Sequence, residues 1–197
     1  RGFDIPAKTE QVFTTSMATA RFIYDEKPDA SVYVIGEEGI KTAIKEKGFT
    51  ITSDHPDYVV LGIDREITYE KLALGAIAIR NGAKFISTNA DIALPTERGL
   101  LPGNGALTSV LAVATQTKPV FIGKPEPIIT EQALEYLGSK KEETIMVGDN
   151  YDTDILAGIR TGIDTLLVHT GITTKEMLKT KEILPTYTVD SLDQWEV

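Results

Sequence analysis

The stretch Thr144-Ile-Met-Val-Gly-Asp-Asn-Tyr-Asp-Thr-Asp-Ile155 runs from an apolar strand into acidic residues and then into a helix. In open α/β sheets, ligands bind at the carboxyl ends of the strands. Asp149 falls at that strand tip, where a carboxylate can hold a hard cation such as Mg²⁺, and Asn150 can orient the ion or its waters. The structural alternative is that Asp149-Asn150 turns the chain while Asp152 or Thr153 caps the helix. Asp154 lies in the first helical turn, where the helix dipole favours an acid.

Immediately upstream, Val120-Phe-Ile-Gly-Lys-Pro-Glu-Pro127 fixes a lysine between Gly123 and Pro125, just after an apolar strand. A point cation beside an anion in a poorly solvated site suits phosphate. The strands leading to Lys124 and Asp149 are consecutive, and consecutive strands usually lie near each other.

Further out, Val- and Ile-rich runs alternate with helical patterns, the signature of βα units and a largely parallel sheet. The first block has strands at Ser31–Ile35, Tyr58–Gly62 and Lys84–Ser87. Helices are predicted at Glu37–Lys47 and Thr68–Arg80, closed by Gly48 and Gly82. The second block has strands at Pro119–Ile122, Glu143–Val147, Thr165–Val168 and Tyr187–Val189, with helices at Ile128–Leu137 and Asp154–Thr161. Between the blocks lie a turn-rich stretch, Leu94 to Gly105, and an apolar helix from Ala106 to Thr115. The hinge is expected at Thr115 to Lys118.

Composition excludes several function classes. With 20 basic and 29 acidic side chains the formal charge is −9, and the cations are scattered, which argues against nucleic acid. The longest nearly apolar run, Leu72 to Ile79, is far short of the roughly 20 residues a membrane span needs. Absence of cysteine removes thiolate chemistry and fits a reducing cytoplasm. The sequence opens Arg1-Gly2-Phe3-Asp4 without an initiator methionine and reads as the middle of a longer chain.

Other candidates are weaker. Ser87-Thr-Asn-Ala-Asp91 closes a strand, so Asn89 and Asp91 can face a ligand or form an Asx-turn. Pro102-Gly-Asn-Gly-Ala106 lacks the spacing of a phosphate loop and reads as a tight turn before a helix. His55 and His169 have neither triad nor zinc spacing and read as structural.

Taken in order, a cap-like α/β block, then Gly123-Lys-Pro-Glu-Pro127, then Gly148-Asp-Asn-Tyr-Asp-Thr-Asp154 resemble the haloacid dehalogenase superfamily. Within it they resemble the subclass IIA (NagD-like, p-nitrophenylphosphatase-like) phosphatases. The likeness runs from Phe13-Thr-Thr-Ser-Met-Ala-Thr19 to Gly171. It implies a Rossmann-like parallel core with an inserted C2-type cap: residues 1–24 ending the first core segment, 25–116 forming the cap and 117–197 forming the second half of the core. It further implies that Lys124 balances the charge of nucleophile and phosphate, that Asp149 is a Mg²⁺ ligand and that Asp154 supports it. The family's aspartate nucleophile, with a second aspartate two positions on as acid and base, is not visible. Asp4 and Asp152-Thr-Asp154 are poor substitutes for that pair.

The expectation is therefore a cytoplasmic, Mg²⁺-dependent phosphatase of small phosphorylated metabolites such as sugar or aryl phosphates. This chain would supply Lys124, Asp154, Asp149 and Asn150, with Asn89 and Asp91 in a substrate-facing loop of the cap. Standing alone it would be inactive, and the cap offers a surface for a homodimer. The alternative from another class is a non-catalytic ligand-binding or dimerising fragment. A nucleotide-binding α/β domain is disfavoured by the missing glycine fingerprint.

Overall fold

The computed structural model describes residue 6 and residues 8–195, so Asp4 lies outside the described residues. The chain divides into two compact α/β units, Arg1–Ile122 and Gly123–Val197.

In the first unit α1 (Thr15–Glu26) leads into β1 (Ser31–Ile35), α2 (Glu38–Glu46), β2 (Thr50–Ile51), β3 (Tyr58–Leu61), α3 (Tyr69–Arg80) and β4 (Lys84–Ser87). The hairpin strands β5 (Ala93–Thr96) and β6 (Gly99–Pro102), then α4 (Asn104–Thr115) and β7 (Val120–Phe121), complete it. Five strands form one parallel sheet in the order β2-β1-β3-β4-β7. Every residue of β3 is buried, which explains why its sequence is a continuous apolar run rather than an alternating one: helices cover both faces of such a sheet. Ile35, Val59, Leu61, Phe85 and Leu111 make the centre of the core, each such side chain contributing about 1.5–3 kcal/mol by leaving water. Thr68 caps α3 by accepting from the Lys71 N–H at 3.2 Å, and Gly82, at φ 104°, closes it.

Two expectations change here. The strand expected at Pro119–Ile122 in the second block instead pairs with β4 through Ile86–Val120 and Ser87–Phe121, and the two units divide after Ile122. Its apolar side chains suit either sheet, and a pattern of apolar residues does not name the neighbour. The stretch 94–105, read as turns, is largely a hairpin that turns at Glu97-Arg98, with Gly99 at φ 109°. Pro95 and Pro102 disguised it, being tolerated because both strands are edges.

In the second unit α5 (Pro127–Leu137), β8 (Ile145–Gly148), α6 (Leu156–Thr161), β9 (Asp164–Val168), α7 (Lys175–Leu178) and β10 (Tyr187–Val189) build a parallel sheet in the order β10-β9-β8. Tyr151, Ile155 and Leu167 form its buried cluster. No helix among the described residues is long and apolar enough to cross a membrane.

Candidate active site

The acidic residues that follow β8 do not start a regular helix. Tyr151–Ile155 is a single π-type turn, a widening found mostly at functional positions, and α6 begins only at Leu156. Its cap is Asn150, whose Oδ1 accepts from the Asp152 N–H at 3.0 Å, so neither Asp152 nor Thr153 takes the capping role expected of them. Asp152 turns outward to Lys181, 2.6 Å away.

The wide turn directs Asp154 back toward β8. The residue is 7% exposed, and both of its carboxylate oxygens are engaged. Oδ1 accepts from Lys124 Nζ at 2.6 Å and Oδ2 from the Asn150 N–H at 3.2 Å. Gly148 makes room for it, since a Cβ there would stand 2.2 Å from the Cβ of Asp154. A buried carboxylate with both oxygens engaged holds the lysine in place. Lys124 is half-buried, so its remaining hydrogens can meet an anion. β7 pairs in the sheet of the first unit and not with β8, while Lys124 meets Asp154 within the second unit.

Asp149 stands at the end of β8. Its Oδ2 accepts from the Ile172 N–H at 3.0 Å and its backbone carbonyl from the Thr173 N–H at 3.0 Å. Gly171 packs against the carboxylate so closely that a Cβ would overlap it. Among the described residues no donor reaches Oδ1, leaving one hard oxygen free on an immobilised carboxylate. That donor fits Mg²⁺, which takes one or two carboxylates and otherwise keeps water or phosphate oxygens. No group of three His, Cys, Asp or Glu side chains gathers into a metal cage among the described residues. The loop at 171–173 that fixes Asp149 was missed from sequence, its one signal being a glycine shortly after a strand. Thr173 Oγ1 also accepts from the Tyr151 N–H at 2.8 Å. The Tyr151 hydroxyl donates to Ile183 O at 2.6 Å, and burial pushes its phenol pKa up. His169 Nδ1 lies 3.1 Å from Thr173 O.

Asn89 and Asp91 belong to the first unit. Their side chains hydrogen-bond each other, and Thr88 Oγ1 donates to Asn89 Oδ1 at 3.0 Å. Asn89 lines a cavity of about 200 Å³ with Thr15, Ser16, Gly39, Gly62 and Thr88, at the carboxyl end of the sheet.

The chain is similar to several known proteins. A haloacid dehalogenase-like hydrolase model matches residues 1–50, and a HAD-hydrolase-like model matches residues 121–195. The chain is 66% identical over 193 residues to 5'-nucleotidase YutF of Bacillus subtilis, covering 98% of this chain and 75% of that protein. It is 54% identical to an acid sugar phosphatase of Staphylococcus epidermidis, covering 98% of this chain and 75% of the relative. The structure of a double mutant of a thermostable NPPase from Geobacillus stearothermophilus superposes with a TM-score of 0.95 at 60% identity, covering 99% of this chain and 77% of the other. The Lys124–Asp154 pair and the fixed Asp149 thus occur in a chain that belongs to the haloacid dehalogenase superfamily, in its subclass IIA of NagD-like phosphatases.

Proposed function

We propose that this chain serves a Mg²⁺-dependent phosphohydrolase of small phosphorylated metabolites, sugar, aryl or nucleoside phosphates, working in the cytoplasm through an aspartyl-phosphate intermediate. The observation that carries the reading is the pairing of a half-exposed Lys124 with the buried Asp154, on the segment that follows the fixed carboxylate of Asp149. Lys124 binds the phosphoryl oxygens and offsets their charge, a preorganised electrostatic role. Asp154 keeps the ammonium aimed. Asp149, steered by Ile172 N–H and Gly171, offers its Oδ1 to the metal, with Asn150 beside it. When bound, Mg²⁺ supplies further charge stabilisation for the phosphoryl group. The carboxylate nucleophile that the resemblance implies is not among the residues assigned here.

In this reading residues 25–116 act as a cap whose loop with Asn89 and Asp91 faces the substrate, and the cap also provides a homodimer surface. The test is hydrolysis of p-nitrophenyl phosphate, with and without EDTA, by the complete enzyme that carries this chain and its nucleophile; the same complete enzyme is the parent for every variant below. Activity lost to EDTA and restored by Mg²⁺ is expected; activity indifferent to both overturns the metal assignment.

A further inference from the structure

The sequence Pro102-Gly-Asn-Gly-Ala106 is not a phosphate cradle: its donors are spent on the protein's own backbone. Asn104, 2% exposed, places Nδ2 at 2.9 Å from both Asn89 O and Ser87 Oγ, with Thr88 Oγ1 at 3.3 Å and Leu61 O at 3.5 Å. Two of these neighbours are backbone carbonyls, which only accept, so the amide nitrogen must face them. Its two hydrogens go to the two shortest contacts. Oδ1 is left buried without a donor, an unfavourable arrangement that native structures rarely keep. On either side, Gly103 N–H donates to Ile92 O at 2.9 Å and Gly105 N–H to Asp91 O at 2.8 Å. A Cβ at Gly103 would overlap Asp91 O, and one at Gly105 would overlap Ala90 O. Three of the four carbonyls in 89–92 are therefore held by three consecutive residues at the start of α4.

We infer that this first turn of α4 fixes the shape of the 89–92 loop, and that Asn104 is a positioning residue for substrate selectivity. The inference rests on the reading of Asn89 and Asp91 as substrate-facing. Asn104 touches no substrate. It sets where Asn89 begins, and the Asn89–Asp91 side-chain bond carries that placement to the loop's exposed end.

The experiment compares kcat/KM for p-nitrophenyl phosphate, a sugar phosphate, a nucleoside monophosphate and acetyl phosphate, whose leaving group is minimal. The proteins are the parent, Asn104→Ala and the double variant Asn89→Ala/Asp91→Ala, with urea unfolding run alongside. Asn104→Ala should lower kcat/KM for the bulky esters by about tenfold, mainly through KM, with acetyl phosphate within about twofold. The double variant should shift the same ratios. An equal loss on all four substrates, or no loss, overturns the positioning role. If the double variant shifts the ratios and Asn104→Ala does not, the inference fails while the loop assignment stands. If the double variant itself leaves the ratios unchanged, the loop assignment fails and takes the inference with it. Should Asn104→Ala not fold, Ser87→Ala removes one acceptor of the same amide. It must shift the ratios in the same direction by a smaller factor, and unchanged ratios count against the inference.

Discussion

Replacing Gly148 by alanine separates chemistry from packing. The added methyl would stand 2.2 Å from the Cβ of Asp154 and 2.4 Å from its Cγ and Oδ2. Carbon atoms settle at about 3.5 Å, so Asp154 must retreat by about 1 Å. The Cβ is tied to its own backbone, which leaves the π-type turn to move. A shift of that size stretches the 2.6 Å bond from Lys124 beyond hydrogen-bond range and lets the ammonium swing away. Misplacement on this scale costs about a hundredfold in turnover, or about 2.7 kcal/mol of barrier. Gly158→Ala is the matched control: its methyl would meet the Thr165 Cγ2 at 2.4 Å and the Met146 Cβ at 3.0 Å, atoms of the core and not of the site. Overpacking makes both variants less stable, by about 1–3 kcal/mol. The assay is the initial rate on p-nitrophenyl phosphate per folded molecule, with folding followed by circular dichroism in urea. Gly148→Ala should lose rate and stability, Gly158→Ala stability alone. If Gly148→Ala keeps its rate within about threefold of the parent, the Lys124–Asp154 pair has no part in the chemistry and the reasoning fails.

Further outcomes follow from the same geometry. Asp149→Ala should abolish Mg²⁺-dependent turnover while the urea midpoint moves little; calorimetric Mg²⁺ titration of the variant should be flat, and undiminished turnover would refute the ligand role. Lys124→Met should raise KM for every phosphate ester alike, since the lysine contacts the group all of them share; a change confined to one ester would place it in selectivity instead. In the first unit, Asp57 accepts from Lys27 Nζ at 2.7 Å and from the Ser31 N–H at 2.8 Å, and the lysine first, then the amide, hold its carboxyl below the usual range. A carboxyl depressed by folding stabilises fully above its unfolded pKa near 4 and loses that contribution as pH falls through the lower folded value. Asp57→Asn should therefore cost about 1–2 kcal/mol at pH 7, and the gap to the parent should narrow in urea melts as pH drops below about 4. Tyr58, pushed up to about 12 chiefly by burial and then by its bond to Glu26, should ionise well above the usual phenol range in an absorbance titration, and Tyr58→Phe should remove that step.

What sequence made legible was local. Ser31–Ile35, Lys84–Ser87 and Tyr187–Val189 are strands with the expected bounds because β-branched runs between turn residues have few other uses. The Lys124–Asp154 pair and the fixed Asp149 fall on residues that sequence singled out, the two acids because a strand runs there into glycine and acid, the lysine because Gly123 and Pro125 flank it. Partner choice was not legible. Val120-Phe121 carries nothing to say that β4 is its neighbour, and the capping of Tyr151–Ile155 by Asn150 depends on a π-type turn that no periodicity announces. α1 was overlooked because Thr14 to Glu26 mixes helix formers with β-branched residues, and its packing on α2 decides the outcome. Gly171 and Asn104 act through backbone approach, which a one-dimensional pattern does not encode.

The parallel sheet of the first unit has a kinetic corollary. No two of its five strands can meet through a tight turn, so each pairing closes a long loop before any ladder forms, and ordering is slow compared with a meander of equal size. β7 enters last along the chain and is joined to β4 by only two residue pairs. With β2, equally short and also held by two pairs, it has the least to lose on local opening, so hydrogen exchange at Ile122, which donates to Ser87 O at 3.1 Å, should be faster than at amides of β1 and β3. Two residues separate this short strand from Lys124, so the exchange of Ile122 also reports on the segment that leads into that lysine.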